Sequence, residues 1–113
     1  MRRLDVEYIR NDKRGSLIQV NTGEWKQLNH LIIKKGNEFG GHYHKHKEEF
    51  FYVLDGKILI SIKGKNCLIR EVKKRGECFI IEPFEVHTIK AIKNSVLIEL
   101  LSEPYSQADT IDE

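Results

Sequence analysis

The chain is dominated by short apolar runs, rich in Val and Ile, that are separated by turn residues at short intervals. Helical spacing of apolar residues occurs only weakly, between residues 25 and 33. Closely spaced strands without intervening helices are typical of a β-sandwich or barrel. The predicted strands are residues 15–20, 27–34, 39–46, 49–54, 57–63, 67–72, 77–82, 86–92 and 96–101. We therefore predict an all-β fold.

The length and charge of the chain limit the classes of protein to which it can belong. The 113 residues suffice for one core, so we expect a single domain over 1–113. Its 19 basic and 17 acidic residues are interspersed and give a net charge of +2, which indicates no nucleic-acid surface. No apolar run approaches a membrane span, and the first five residues lack the apolar region of a secretory signal. We expect a cytoplasmic protein without a membrane partner, in which Cys67 and Cys78 are buried thiols.

A turn signal at Asp55-Gly56 makes Glu49 unusual. Asp-Gly between alternating runs predicts a two-residue hairpin loop. The predicted cross-strand pairs are Val53 with Ile58, Phe51 with Ile60 and Glu49 with Ile62. Paired residues share a face, so Glu49 would be the one charged group on an apolar inner wall. A buried carboxylate of this kind requires a cation, a hydrogen-bonding partner or a proton.

Histidines near Glu49 could supply that cation. His42 and His44 are two residues apart, so on a strand their imidazoles point to the same side. His87 follows Pro83 at the edge of another apolar run, whereas His46 is expected to be exposed or to support a ligand. Imidazole and carboxylate together suit zinc, iron, manganese or nickel. We predict one divalent transition metal bound by His42, His44, Glu49 and His87.

The spacing Gly36-x5-His42-x-His44-x4-Glu49-x6-Gly56 resembles the first signature motif of the cupin superfamily. Gly76, Pro83 and His87 are similar to its second motif, without the usual glycine after the proline and with a proline-to-histidine gap one residue short. The resemblance implies a double-stranded β-helix, a jelly-roll barrel, with the same four residues as metal ligands.

A narrower resemblance is carried by residues 12–17, by 40–45 and by Glu103-Pro104-Tyr105. These segments are similar to RmlC-like cupins of surface and capsular polysaccharide biosynthesis and, more distantly, to dTDP-4-dehydrorhamnose 3,5-epimerases. That resemblance implies action beside the carbonyl of an activated keto-sugar, with His42 aligned to the general base of the metal-free epimerases. Because His44 completes a metal site, we expect His42 to be a ligand instead. Phe39 stands where the epimerases have an arginine, and it cannot make the bidentate phosphate contact of a guanidinium.

Three functions remain open on the sequence alone: a sugar isomerase or epimerase, a metal-dependent oxygenase, and a non-catalytic sugar-binding or regulatory module. For an isomerase, Tyr52 and Glu85 are the predicted catalytic residues besides a metal-bound hydroxide. In each case the expected partner is a small molecule, a sugar derivative.

The two ends of the chain suggest how the protein assembles. Leu4, Val6 and Tyr8 alternate, so a strand at about residues 4–10 could be exchanged in a homodimer. The polar tail 102–113 is predicted to be either disordered or a flap over the barrel mouth.

Overall fold

The computed structural model describes residues 1–64 and 66–112. The strands are β1 (Arg2–Leu4), β2 (Tyr8–Asp12), β3 (Gly15–Gln19), β4 (Gln27–Ile33), β5 (Glu38–His44), β6 (Glu49–Asp55), β7 (Lys57–Lys63), β8 (Leu68–Lys74), β9 (Cys78–Ile81), β10 (Val86–Ala91), β11 (Ser95–Leu101) and β12 (Thr110–Asp112). One sheet has the order β1-β9-β6-β11-β4 and the other β12-β5-β10-β7-β8, with every pairing antiparallel. The predicted all-β jelly-roll fold is confirmed.

Alternation along the strands places the core between the sheets. In β7, Ile58, Ile60 and Ile62 are buried and alternate with more accessible residues. Phe51 and Val53 of β6 meet them from the opposite sheet in one continuous apolar cluster. The other face of β6 carries a second cluster of Phe50, Cys78 and Ile80, covered by residues that include Leu4, Trp25 and Tyr52. Glu49 therefore lies at the end of an apolar inner wall, as predicted.

The predicted hairpin at Asp55-Gly56 is wrong. β6 pairs with β9 and β11, whereas β7 pairs with β8 and β10, so the chain changes sheets at this turn. Gly56 has φ +95°, and a Cβ there would lie 2.4 Å from Ser95 Oγ and 2.5 Å from the Asn94 carbonyl oxygen. Asp-Gly thus provides the positive φ of a tight turn but does not decide which strands pair. The predicted inward-facing residues still meet, across the sandwich rather than along a ladder.

The N-terminal segment differs from the predicted single strand at 4–10. Leu4 ends β1, which pairs with β9 of the same chain. Tyr8 and Ile9 belong to β2, which forms a separate two-stranded ribbon with β3. The ribbon has large exposed apolar side chains at Tyr8, Ile9, Leu17 and Ile18.

The C-terminal tail returns to the second sheet. A single 3-10 turn at Gln107–Asp109 leads into β12, which pairs with β5 opposite His42 and His44. The Asp109 carboxylate is buried and accepts hydrogen bonds from the backbone N–H groups of Lys45 and His46, at 2.9 and 3.0 Å. These contacts fix the tail against the strand that carries two predicted ligands.

The two cysteines differ in their exposure to solvent. Cys78 is buried as predicted, whereas Cys67 is exposed because it lies in the turn before β8; both are free thiols. Within the described residues, no helix is long and apolar enough to cross a membrane.

Candidate metal centre and cavity

The four predicted ligands meet at one end of the sandwich. His42 and His44 project inward from β5, Glu49 begins β6 in the opposite sheet, and His87 lies on β10 directly across from His42. One donor atom from each residue lies within 4.8 Å of the other three. His44, Glu49 and His87 are buried, and His42 is partly accessible. The structure thus brings together residues that are up to 45 positions apart in the chain.

Backbone carbonyls orient two of the imidazoles. His44 Nδ1 lies 3.3 Å from the Asp109 carbonyl oxygen, and His87 Nδ1 lies 3.0 Å from that of Glu85. Because a carbonyl can only accept, each Nδ1 carries a proton in this arrangement, and in the neutral form of the imidazole the lone pair is then on Nε2. Metal-binding histidines in proteins are commonly held in this way. Both Nε2 atoms face the Glu49 carboxylate.

The environment of the Glu49 carboxylate indicates whether the site can hold a cation. Its Oε1 lies 2.6 Å from His44 Nε2 and 3.5 Å from His87 Nε2. Despite these distances the contacts lack hydrogen-bond geometry, and Oε1 is the one buried side-chain oxygen or nitrogen in the described residues without a hydrogen-bond partner. An anionic oxygen facing imidazole lone pairs is unfavourable unless a proton or metal lies between them. The donor set therefore fits a divalent transition metal.

A glycine permits the close approach of the strands that carry these ligands. Gly40 on β5 has φ +119°, and a Cβ there would lie 2.3 Å from the His87 carbonyl oxygen. The pairing of β5 with β10 also shifts register between His87 and Thr88. Gly40 is thus required for the backbone of His87 to approach β5.

The charges in the site shift several pKa values. Burial is the largest influence on Glu49 and opposes its ionisation, but the contacts with His44 and Glu99, together with the charges of His87 and His44 when these are protonated, outweigh it and lower the pKa of Glu49 to about 2. Burial, followed by the nearby His87 and His44, lowers the pKa of His42. Burial and the adjacent Glu49 carboxylate raise the pKa of Glu99 to about 8. Near neutral pH the site therefore holds a carboxylate beside a protonated carboxylic acid.

A cavity of about 560 Å³ opens beside the four predicted ligands. Its volume is in the range of small-molecule sites. The apolar part of its wall is formed by Leu31, Phe39, Phe51, Ile89 and Leu101. The polar part, besides the ligands, is formed by Gln27, Asn29, Lys47, Glu99, Tyr105 and Thr110.

The predicted catalytic residues Tyr52 and Glu85 do not line this cavity. Tyr52 follows the inward-facing Phe51, so strand alternation places it in the cluster on the outer face of its sheet. The Glu85 carboxylate contacts the N-terminal ammonium of Met1 and accepts a hydrogen bond from the Glu82 N–H. Only its backbone carbonyl reaches the site, through His87. His46 is exposed.

The sequence interpretation missed Glu99 and Lys47. Glu99 shares the inward parity of Leu97 and Leu101 on β11, so the argument applied to Glu49 would have found it. Asn29 on the neighbouring strand donates a hydrogen bond of 2.9 Å to Glu99. Lys47 lies in the loop between β5 and β6, and the local sequence gives no signal of its burial.

Similar folds occur among enzymes of sugar metabolism. The structure superimposes on a 3,4-ketoisomerase from Helicobacter canadensis with a TM-score of 0.87 and 22% identity, over 98% of this chain and 89% of that one. For a dTDP-4-dehydrorhamnose 3,5-epimerase from Sulfolobus tokodaii the TM-score is 0.75 with 22% identity, over 90% and 70% of the two chains. At these identities the likeness concerns the fold.

A further solved structure is closer in sequence. The capsular polysaccharide assembling protein CapF from Staphylococcus aureus is 27% identical with a TM-score of 0.71. The match covers 93% of this chain and 33% of CapF, so this chain corresponds to about a third of that protein.

A curated relative and a family model establish the membership. Uncharacterized protein MJ1618 from Methanocaldococcus jannaschii is 32% identical over 111 residues, which is 91% of this chain and 84% of that protein. The model described as Cupin domain matches residues 29–102, which include the four clustered His and Glu residues. The chain belongs to the cupin family.

Proposed function

We propose that this cupin binds one divalent transition metal ion through His42, His44, Glu49 and His87. The single observation that carries the proposal is the buried Glu49 Oε1, which has no hydrogen-bond partner among residues 1–64 and 66–112 and faces two imidazole nitrogens at 2.6 and 3.5 Å. The mixed nitrogen and oxygen donors suit zinc, iron, manganese or nickel. His42 acts as a ligand in this proposal, so it is not the free base that the epimerase resemblance implies.

We further propose that the protein is an isomerase or epimerase acting beside the carbonyl of a sugar derivative. A metal ion in the site would supply Lewis-acid polarisation of that carbonyl. The apolar wall formed by Leu31, Phe51 and Ile89 would keep water from the reacting carbon. The Glu99 carboxyl, oriented by Asn29, is the acid-base group in the cavity that is placed to move a proton.

The similar structures support a sugar derivative as the ligand. One is a 3,4-ketoisomerase, another a 3,5-epimerase of a nucleotide-activated sugar, and a third a capsular polysaccharide assembling protein. Phe39, which replaces the arginine of the epimerases, is itself part of the cavity wall. Contacts to a phosphate must therefore come from other residues. Because Tyr52 and Glu85 lie outside the cavity, a binding module without catalysis is the second candidate.

The decisive experiment measures metal content and proton exchange together. Protein purified without added metal is analysed for transition metals and assayed in D2O for exchange beside the carbonyl of a 4-keto sugar nucleotide. We expect near-stoichiometric metal, loss of exchange on chelation, and recovery on adding the metal back. His42→Ala should abolish both metal binding and exchange, whereas the matched control His46→Ala should change neither.

Other outcomes would contradict specific parts of the proposal. Exchange that persists in chelated protein and disappears in His42→Ala would show that His42 is the base. Stoichiometric metal without exchange on any keto-sugar would favour the binding module.

We also propose that the protein is a homodimer in the cytoplasm. An isolated two-stranded ribbon is marginally stable in water, and β2–β3 exposes Ile9 and Ile18 as neighbours on one face. A second copy of the chain would cover them. Light scattering should give the mass of two chains, and Ile9→Lys with Ile18→Lys should give the mass of one. The free thiols Cys67 and Cys78 fit a reducing compartment.

A further inference from the structure

A largely buried lysine in the cavity forms no ion pair with any described residue. Lys47 is 2% exposed, and its Nζ lies 5.1 Å from the centroid of the Tyr105 ring. Within the described part of the chain its ammonium forms no ion pair and donates no hydrogen bond, and its Nζ is not fully enclosed but reaches the open cavity. Lysine is almost never buried without a partner, because its ammonium is strongly hydrated in water.

Lys73 shows how this chain treats a buried lysine elsewhere. Lys73 is 8% exposed, and its Nζ lies 3.3 Å from the Glu71 carboxylate. Both ammonium groups also lie near an aromatic ring, Tyr105 for Lys47 and Phe79 for Lys73. The two sites therefore differ in the carboxylate, which Lys47 lacks.

Neither of the acidic groups described in the cavity wall forms an ion pair with Lys47. Glu49 faces the imidazoles of His44 and His87. Glu99 accepts a hydrogen bond from Asn29, and although the charge of Lys47 opposes the rise in the pKa of Glu99, the two groups form no ion pair among the described residues. With a divalent metal in place, the metal and the ammonium together outweigh the charges of both carboxyl groups even when both are ionised. The cavity therefore favours an anionic ligand.

We propose that Lys47 and Tyr105 form an anion subsite that binds the phosphate or carboxylate group of the cavity's ligand. The inference rests on the proposed function, because the rest of the ligand would lie toward the four metal-binding residues. The Lys47 ammonium donates to the anion, and the ring of Tyr105, which is itself exposed, forms one wall of the subsite. Lys47 would then supply the charge that Phe39 cannot, and the substrate class is a negatively charged sugar derivative.

Calorimetric titrations test the subsite. The probes are inorganic phosphate, dTDP and D-glucuronate, with neutral D-glucose as the control ligand, each added to metal-loaded and metal-free protein. We expect at least one anion to bind and D-glucose to bind far more weakly. Lys47→Met should weaken that anion by about 10-fold or more, the loss of one charge-assisted hydrogen bond. Lys47→Arg should restore part of the affinity, and Lys73→Met should leave it unchanged.

A stability measurement separates this role from a structural one. Without ligand, Lys47→Met should unfold at the same or a higher temperature than the wild type, because it removes a buried charge that has no partner. Lys73→Met should unfold at a lower temperature, because it removes the ion pair with Glu71 and the contact of the ammonium with the Phe79 ring, although Glu71 keeps its pairing with Arg3. A large loss of stability in Lys47→Met would mean that the lysine only supports the fold, and would overturn the proposal.

The remaining outcomes identify the anion or reject the subsite. Binding of phosphate and dTDP assigns a phosphate, and binding of D-glucuronate alone assigns a carboxylate. Unchanged anion affinity in Lys47→Met, or no anion binding in either form of the protein, would refute the subsite even if metal is present. Lys47-dependent binding by protein that takes up no metal would support the subsite while the metal proposal failed.

Discussion

Substitution of Glu49 should have opposite effects on stability with and without metal. Glu49 is 3% exposed, and its Oε1 has no hydrogen-bond partner within the described residues. Glu49→Gln keeps the shape of the side chain and removes its charge. Its amide can also donate a hydrogen bond to the lone pair on His44 Nε2, which a carboxylate cannot do.

The size of each effect follows from the environment of the oxygen. At the assay pH of 7.5 an ordinary imidazole is neutral, so the positive charges that lower the pKa of Glu49 no longer stabilise its carboxylate. A buried polar group without a partner costs about 1–3 kcal/mol, so the metal-free variant should then be more stable than the wild type by that amount. In a domain of this size, about 4 °C of melting temperature corresponds to 1 kcal/mol, so the increase is about 4–12 °C. Metal at about 1,000 times its Kd stabilises the wild type by about 4 kcal/mol, or roughly 16 °C. The variant should gain little of this, because an amide is a poor substitute for an anionic ligand.

The assay is thermal unfolding followed by circular dichroism at pH 7.5, in chelator and in excess zinc. Glu48→Gln is the matched control, since Glu48 pairs with Arg2 on the outer surface and should respond to zinc like the wild type. If metal-free Glu49→Gln melts below the wild type, the protein itself satisfies the carboxylate and the argument for a cation fails. An equal zinc-induced shift in both proteins would exclude Glu49 as a ligand.

Three further predictions concern pH and backbone. Metal affinity measured by calorimetry should fall as the pH decreases through the imidazole range, about 6.5, because protons compete with the metal for the imidazole lone pairs. Glu49, with its pKa at about 2, stays ionised over this range, and the lowered pKa of His42 delays the protonation of His42. Equal affinity at pH 5.5 and 8 would argue against histidine ligands. In metal-free protein the pKa of Glu99 is raised from 4.5 to about 8, so the protein loses stability as the pH rises between these two values. The melting temperature of Glu99→Gln should therefore rise relative to that of the wild type from pH 5 to 8.5. A constant difference between the two melting temperatures would contradict this prediction. Gly40→Ala should reduce metal affinity more than Gly41→Ala. Both positions have positive φ, but only at position 40 would a Cβ overlap the His87 carbonyl oxygen. Equal effects of the two substitutions on the affinity measured by calorimetry would show that backbone strain alone matters.

Features determined by neighbouring residues were predictable from the sequence, and pairings between distant strands were not. Alternation fixed which side chains of β6 and β7 point inward, and this does not depend on the pairing partner. The partner itself depends on loop packing such as that of Gly56 against Ser95, which no local pattern reveals. The error in the predicted hairpin has this cause.

Within the candidate site, too, residues on strands could be predicted from the sequence and residues in loops could not. His42, His44 and Glu49 lie within eight residues on two strands, so their parity and spacing were informative. The cavity positions of Lys47 and Tyr105 depend on a loop and on the returning tail, which have no periodicity to interpret. Tyr52 was assigned to the site by its residue type, although its parity opposite to Phe51 already placed it on the outer face.

The topology also has a consequence for kinetics. Apart from β2 with β3 and β7 with β8, the strands pair with partners distant in the sequence, and such folds form slowly, on the order of milliseconds to seconds. His87 faces His42 only when β10 has docked on β5, and Glu49 joins them from the other sheet. The complete set of proposed ligands should therefore come together only late in folding. A bound ion should accordingly slow the unfolding rate and leave the folding rate nearly unchanged, so that it prolongs the lifetime of the folded protein without speeding its formation.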